Sequence, residues 1–353
     1  MSTANNTGKI SAAGFKELLF PYCGADRNEV LTGPAYGVDV AVVDLSNGLA
    51  LALTSDPLSL IPSLGLQESA WLSVHLMAND MATTGCAPMY AQFVLNLPTT
   101  LSATDFETYW QYINQYCKEI GVAITGGHTG QIEGQNSTIA GGGTMLLVAA
   151  KEHIYTSNNA RPGDVIIVTK ECALVSSAIL AMSFPETVKN KAGAEIYNKA
   201  CSLFYETSAL QAGLAAAGTG NKYNDIHAMH DVTECGVIGA IYEMAVASSC
   251  GVSVDINKLP VGEAQQEICG LFNIDPHYSV GAGSMIIAAP QTGAPAVINR
   301  LAANGVAATA VGVFTENKIE MILMENDKIS ALKHPGKDPY WNAFFTALHN
   351  GWK

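Results

Sequence analysis

The sequence predicts two domains of the α/β (α+β) class, covering residues 1–155 and 156–353. Three observations support this prediction. The chain has 353 residues, about twice the length of one typical domain. Strand-like and helix-like segments alternate in both halves, as in mixed α/β folds. Between residues 151 and 164 the composition becomes polar and turn-forming before an apolar strand pattern resumes, so we expect the domain boundary there.

The first half begins with a predicted hairpin. Residues 38–43 and 49–54 are short aliphatic runs, and the intervening Ser46, Asn47 and Gly48 favour a turn. Residues 103–119 form the clearest helix, because their apolar side chains recur at spacings of three and four and Ser102 with Asp105 can cap the first turn. The remaining predicted elements are a helix at 67–84 and strands at 90–97, 122–125 and 145–149.

The second half continues the alternation. Apolar periodicity predicts helices at 194–216, 236–249, 263–271 and 294–304. Short β-branched or aliphatic runs predict strands at 165–169, 252–256, 285–289, 308–314 and 318–324. The aromatic residues between 340 and 352 recur at helical spacing, which predicts a short carboxy-terminal segment docked by its apolar face.

Composition argues against several classes of partner. The chain has 18 Lys+Arg against 31 Asp+Glu, a net charge of −13, and no basic run, so we expect no nucleic-acid partner. The long uncharged stretch 276–299 is interrupted by prolines and glycine, which argues against a membrane span. The first residues lack a basic segment followed by an apolar one, so we expect a cytoplasmic protein. The eight cysteines contain no CxxC pair and are expected to be mostly reduced core residues.

Four carboxylates at the ends of predicted strands are the main candidates for chemistry. Asp39, Asp56, Asp80 and Asp231 offer the oxygen ligands that Mg²⁺ prefers, and Mg²⁺ usually joins such groups to substrate phosphates. A capping or turn role for each Asp is the alternative. No GxxxxGK[ST] loop is present, and Gly141–Gly143 lies inside a strand-like segment, so a nucleotide site needs another design.

Two further motifs are weaker. Gly126, Gly127, His128, Thr129 and Gly130 follow a strand and are too glycine-rich for a regular element, so their backbone can either approach a ligand or form a plain turn. The HxxHD spacing of His227, His230 and Asp231 is compatible with zinc but lacks an HExxH context.

Six motifs, in order, resemble the aminoimidazole ribonucleotide synthetase superfamily. They are EVLTGPAYGVDVAVVDL, LALTSDPLS, SVHLMANDMATTGCAPMYAQFVL, GVAITGGHTG, ARPGDVIIVT and MHDVTECGVIGAIYEMA. That superfamily includes the purine-pathway synthetase, selenophosphate synthetase, thiamine monophosphate kinase and the hydrogenase maturation protein HypE. Motif order and spacing here resemble the HypE type most.

The resemblance implies a two-domain PurM-like fold. Its amino-terminal sheet domain would form a homodimer and bind ATP with Mg²⁺, and its carboxy-terminal α/β domain would close the nucleotide cleft. It implies Asp39, Asp56, Asp80 and Asp231 as metal ligands. The implied nucleotide contacts are the same four residues with Asn79, Gly126, Gly127 and Thr129, and the implied catalytic residues are Asp80, His128 and Asp231.

Several residues depart from the family pattern. The HypE tail ends in a cysteine, whereas the last cysteine here is Cys269. Glu234 stands where the family has Arg, which predicts the loss of a cation from the site. Val38 precedes Asp39 where a second acid is often found, and His128 stands where several members carry Asp and others His. We therefore expect the fold, but not dehydration of a carboxamide carried on this chain.

The leading hypothesis is an ATP- and Mg²⁺-dependent enzyme that activates an oxygen of an unidentified small substrate by phosphoryl transfer. A hydrogenase-maturation factor that acts with a partner protein, which supplies the thiol in trans, is the second hypothesis. A catalytically silent nucleotide-binding scaffold is the third, because the family's Arg and tail cysteine are missing.

Overall fold

The computed structural model describes residues 8–218, 225–326 and 328–353, which form two β-sheets with packed helices. Strands of the first sheet come from residues 30–150 and strands of the second from residues 165–331. The predicted α/β class is therefore confirmed, and the proposed boundary after residue 155 falls between the two sheets. No helix within the described ranges is long and apolar enough to cross a membrane.

The first sheet has the strand order β1-β2-β3-β6-β4-β5. All of its neighbouring strands are antiparallel except β4 and β5. Its elements, in chain order, are α1 (Ala12–Gly14), β1 (Val30–Thr32), β2 (Ala41–Ser46), β3 (Leu49–Ser59), α2 (Leu66–Ala82), β4 (Tyr90–Pro98), α3 (Ala103–Glu119), β5 (Ala123–Ile132) and β6 (Ile139–Ala150).

Helices α2 and α3 cover one face of this sheet. Val74, Met77 and Met81 of α2 and Ile113 of α3 are fully buried in one core with alternate strand residues. Gly143 of β6 lies directly under α2, because a Cβ there would meet the Met77 sulfur at 2.6 Å. Close packing of helix on sheet thus fixes the position of α2 relative to β6.

The second sheet has the order β13-β12-β9-β11-β7-β10-β8, and helices lie on both of its faces. Residues of α8 share one core with β7, β9 and β10, and residues of α7 and α10 share another with the opposite side of β7 and β10. The elements are β7 (Val165–Thr169), α4 (Leu174–Ser183), α5 (Pro185–Ala192), α6 (Ala194–Ser202), α7 (Leu210–Ala217), β8 (Ala228–Asp231), α8 (Gly236–Ala247), β9 (Gly251–Asp255), α9 (Glu263–Leu271), β10 (Met285–Ala289), α10 (Ala294–Ala303), β11 (Ala308–Thr315), β12 (Met321–Glu325), β13 (Lys328–Ala331) and α11 (Pro339–His349).

Helix α11 confirms the expected docked segment. Asp338 caps its first turn by accepting a hydrogen bond from the Tyr340 amide at 2.8 Å. Tyr340, Ala343 and Ala347 are buried in a core shared with α4, α6 and α9. Residues 339–349 are therefore an integral part of the second half.

Two predictions of local structure are wrong. The single helix expected over 194–216 is divided into α6, a 3₁₀ turn at Leu203–Thr207 and α7. The Gly126–Gly130 segment, expected to be irregular, lies inside β5 and pairs in parallel with β4. A bulge places Thr125 outside the register, and Gly127 has a φ of 146°, a backbone conformation that glycine adopts readily.

Candidate functional site

The four predicted carboxylates meet where the two halves of the chain touch. Asp39 precedes β2, Asp56 lies in β3, Asp80 is in the last turn of α2, and Asp231 ends β8. The charges of Asp231, Asp56 and Asp39 all act on Asp80, so the four groups share one region. Asp80 is not at a strand end but lies on α2, within the helix predicted at 67–84, and Asp56 lies within β3 and not at its end.

Like-charge repulsion in this cluster is not fully compensated. Burial and the neighbouring carboxylates raise the pKa of Asp80 well above its usual range, although Thr54 donates a 2.6 Å hydrogen bond to Asp80 Oδ2. Burial also raises the pKa of Asp56 to about 6 and, with the charge of Asp39, that of Asp231 to about 7. Folding thus holds these acids together against their own repulsion.

A chain of buried ion pairs fixes Asp39. His230 Nδ1 lies 2.7 Å from Asp39 Oδ1, and His230 Nε2 lies 3.4 Å from Glu243 Oε2. Burial alone would lower the pKa of His230, but Asp39 and Glu243 outweigh burial and raise it well above its usual value. Glu243 also faces His334 Nε2 at 3.3 Å. These residues, which the sequence analysis did not single out as a set, hold Asp39 beside Asp231.

The donor set fits a hard divalent cation. Ligand atoms of Asp39, His230 and Asp231 lie within 4.8 Å of one another, with Asp56 and Asp80 close enough to repel them. Several carboxylate oxygens with uncompensated charge suit Mg²⁺. The HxxHD motif does not act as one ligand set, because His227 is held 2.8 Å from Asp164, whereas His230 and Asp231 lie in the group with Asp39.

Lys9 is a site residue that the sequence analysis missed. Its ammonium donates a 2.8 Å hydrogen bond to Thr233 Oγ1, two residues after Asp231. Burial lowers its pKa, but Glu243, Asp231, Asp80 and Asp39 outweigh burial and raise it above the usual value. The only sequence signal is that Lys9 is the first charged side chain of a lysine-poor chain. A cation therefore lies beside the cluster, contrary to the loss expected from Glu234.

Asn79 has a different set of contacts. Its amide nitrogen donates to Thr207 O at 2.9 Å, and its oxygen accepts from the Ala209 amide at 2.6 Å. Asn79 is fully buried, so both polar ends are used to join α2 to the turn before α7. These contacts explain the break in the predicted 194–216 helix, and we do not include Asn79 among the nucleotide contacts proposed below.

The glycine-rich motif lies on the edge strand β5 of the first sheet, away from Asp56. Asp56 pairs with Gly143, Gly143 with Phe93, and Phe93 with Gly127, so Asp56 and Gly127 lie in one row three strands apart. At about 4.8 Å per strand, the separation is about 14 Å. Gly126, His128 and Thr129 are exposed on the same edge strand. Within one chain, the structure does not bring this motif to the four carboxylates.

Comparison with known proteins identifies both halves. Residues 37–147 match the AIR synthase related protein, N-terminal domain, and residues 161–324 match the corresponding C-terminal domain. A hydrogenase expression/formation protein of Methanocaldococcus jannaschii is 27% identical over 62% of this chain, and this match spans 61% of that relative's length. The selenide, water dikinase of Methanococcus maripaludis is 28% identical over 83% of this chain and 88% of its own. A solved structure of the hydrogenase maturation protein HypE in complex with ATP aligns with a TM-score of 0.66 at 19% identity, covering 93% of this chain and 94% of its own, which shows a common fold.

Proposed function

Since the chain belongs to the AIR synthase related protein family, we propose that it is an ATP- and Mg²⁺-dependent enzyme that activates a small substrate by phosphoryl transfer. The observation that carries this proposal is the cluster of Asp39, Asp56, Asp80 and Asp231, in which the raised pKa values of Asp56, Asp80 and Asp231 signal unneutralised negative charge. The dikinase and the ATP-bound fold relative are consistent with it. ATP as a substrate makes the cytoplasm the compartment we propose.

Each group has a distinct task in this proposal. The four carboxylates hold Mg²⁺, which neutralises the phosphate charge when bound. Asp39 is oriented by His230, and Asp80 by Thr54. Lys9 supplies the nearby ammonium for the charge that develops on the transferred phosphoryl group. Since this chemistry depends on positioning and charge, no protein nucleophile is required.

Calorimetric titration with a non-hydrolysable ATP analogue tests the proposal. We expect binding with Mg²⁺ and at least about 100-fold weaker binding with EDTA, because the phosphates would otherwise meet four carboxylates. A second measurement follows phosphate release from ATP with candidate small acceptors. Equal analogue affinity with and without Mg²⁺ would contradict the metal-bridged site, and binding without any turnover would favour the silent scaffold.

A homodimer completes this proposal. The outward face of the first sheet carries apolar side chains that no helix in the described ranges covers, including Leu49 (44% exposed), Tyr90 (37%) and Val94 (43%). A second copy packed on this face would hide them, as expected for an apolar patch on a folded protein. The separation of the Gly126–Thr129 strand from the carboxylates in one chain leaves that strand available to a partner copy's site.

We expect Val94→Asp to convert the protein to a monomer. A buried charge opposite its own symmetry mate is strongly unfavourable, whereas the same change on exposed Ile319 (81%) should leave the mass unchanged. Light scattering at micromolar protein gives the mass. A wild-type mass of 37.1 kDa would contradict the dimer.

Hydrogenase maturation with a partner protein is the second candidate, favoured by the name of the M. jannaschii relative. For this chain alone we expect no stable carbamoyl adduct, since residues 339–349 are a docked helix and Cys235, near Asp231, is buried behind it. Incubation with a carbamoyl-transferring partner and carbamoyl phosphate, followed by intact-mass analysis, measures this. A gain of one carbamoyl group on any cysteine would favour the maturation function instead.

A further inference from the structure

We propose that Glu234 is a positioning residue, which with Trp341 latches residues 8–10 onto the acidic cluster and so places the Lys9 ammonium there. This inference rests on the proposed function for the use made of Lys9, but the latch itself can be tested without activity. It assigns a role to the residue at which this chain departs most clearly from the family motif.

Two hydrogen-bond donors converge on the Glu234 carboxylate. The Lys9 backbone amide donates to Glu234 Oε2 at 2.7 Å, and the Trp341 indole Nε1–H donates to Glu234 Oε1 at 3.1 Å. Both oxygens of one side chain are thus used, one toward the amino-terminal segment and one toward α11. The contact between Lys9 and Glu234 joins residues 225 positions apart in the sequence.

The amino-terminal segment is shaped for this contact. Gly8 has a φ of 100°, which glycine tolerates best, and a Cβ at Gly8 would lie 2.8 Å from Glu234 Oε2 and 3.1 Å from Trp341 Nε1. A side chain at position 8 would press on both partners, and the positive φ would strain its backbone. The Lys9 side chain then reaches Thr233 Oγ1, next to Glu234, at 2.8 Å.

The turn that carries Glu234 is itself fixed. The Cys235 amide donates to Asp338 Oδ2 at 2.5 Å, while Asp338 Oδ1 caps α11. Residues 233–235 are therefore clamped between α11 on one side and the amino-terminal segment on the other. A mobile Glu234 could not set the position of Lys9, and these contacts remove that mobility.

These two donors require a hydrogen-bond acceptor at position 234. An arginine has five N–H donors and no acceptor, so it cannot pair with either the Lys9 amide or the Trp341 indole. It would also repel the Lys9 ammonium. The family's Arg would place a cation at position 234 itself. Glu234 instead binds the amino-terminal segment, and Lys9 of that segment supplies the cation.

Lysine acylation tests the latch directly. Wild-type protein, Glu234→Arg, Glu234→Ala and Trp341→Phe are treated with an N-hydroxysuccinimide acetate, and Lys9 and exposed Lys318 are followed by peptide mass spectrometry. In the wild type we expect Lys9 to react at least about tenfold more slowly than Lys318, because the Lys9 ammonium donates a 2.8 Å hydrogen bond to Thr233 Oγ1 and must leave this contact to react. In the two Glu234 variants Lys9 should react within about threefold of Lys318, and Trp341→Phe should give an intermediate rate.

A kinetic cycle on ATP turnover supplies the second readout. Glu234→Arg should lower kcat about as much as Lys9→Met, with a smaller effect on the KM for ATP, and the double variant should be no worse than either single variant. Glu267→Arg, on the exposed face of α9, is the control for reversal of a surface charge. Thermal melting verifies that each variant is folded.

The outcomes separate the latch from the proposed function. Lys9 acylation that is equally slow in wild type and in folded Glu234→Arg overturns the latch, as do additive losses of kcat. Acylation that rises in the Glu234 variants supports it even if ATP turnover is absent, in which case the proposed function fails instead.

Discussion

Replacing Asp80 by Asn should lower the affinity for the Mg²⁺ complex of ATP by at least about 100-fold, and Asp56→Asn should act in the same direction. Each change removes one negative charge and one oxygen ligand from a site whose attraction for a divalent cation comes from such groups. The measurement is calorimetric titration with a non-hydrolysable ATP analogue at saturating Mg²⁺. An affinity within threefold of the wild type for both variants would exclude these carboxylates as metal ligands.

The same substitutions should stabilise the protein without ligand. Since burial and like charges raise the pKa of Asp80 and Asp56, the folded state disfavours their charged forms, and a neutral amide removes that cost. The melting temperature without Mg²⁺ should therefore rise by a few degrees while binding is lost. This opposite movement distinguishes a lost ligand site from misfolding.

Asp44→Asn is the matched control. Asp44 accepts a 2.9 Å hydrogen bond from Lys151 Nζ, and this contact lowers its pKa. The same chemical change there should leave nucleotide binding unaltered and should not raise the melting temperature, because Asp44 is a paired surface group. A gain in stability at Asp44 equal to that at Asp80 would show that reduced net charge alone is responsible.

Local periodicity predicted those elements whose stability is local. The α3 helix begins and ends at the predicted residues 103 and 119, since its apolar stripe and the Ser102 cap lie within the segment. The four-residue strand β8 was not predicted, because it is buried on both faces and too short to show alternation. The break before α7 depends on the Asn79 side chain, which comes from another part of the chain.

In the candidate site, too, the features that depend on local sequence could be predicted and those that depend on distant contacts could not. The family resemblance identified Asp39, Asp56, Asp80 and Asp231 as residues, and the structure brings them together. Strand order is not encoded in any one motif, so the three-strand separation of Gly127 from Asp56 was not foreseen. At Glu234 the sequence alone shows only a missing cation, because the contact that explains this residue comes from Lys9, 225 positions away.

Removing the Lys9 ammonium should have the second large effect. Lys9→Met retains most of the aliphatic stem, so the Lys9 amide can still bind Glu234 while the charge is lost. An ammonium beside the four carboxylates stabilises the negative charge that develops as a phosphoryl group leaves ATP. We therefore expect kcat to fall by about 10²-fold, with the KM for ATP changed much less, since four carboxylates and Mg²⁺ remain to bind the nucleotide.

Steady-state turnover of ATP, with analogue affinity measured on the same preparation, decides whether Lys9 acts on the reaction or on binding. Lys16→Met removes one positive charge from the same amino-terminal region. It should leave kcat unchanged, because Lys16 is exposed on the short helical turn Phe15–Leu19. Lys9→Arg keeps a cation but changes its shape and should recover only part of the rate. If Lys9→Met lowered analogue affinity and left kcat intact, its ammonium would serve ground-state binding, and the charge that forms during transfer would have to be neutralised by the metal site alone.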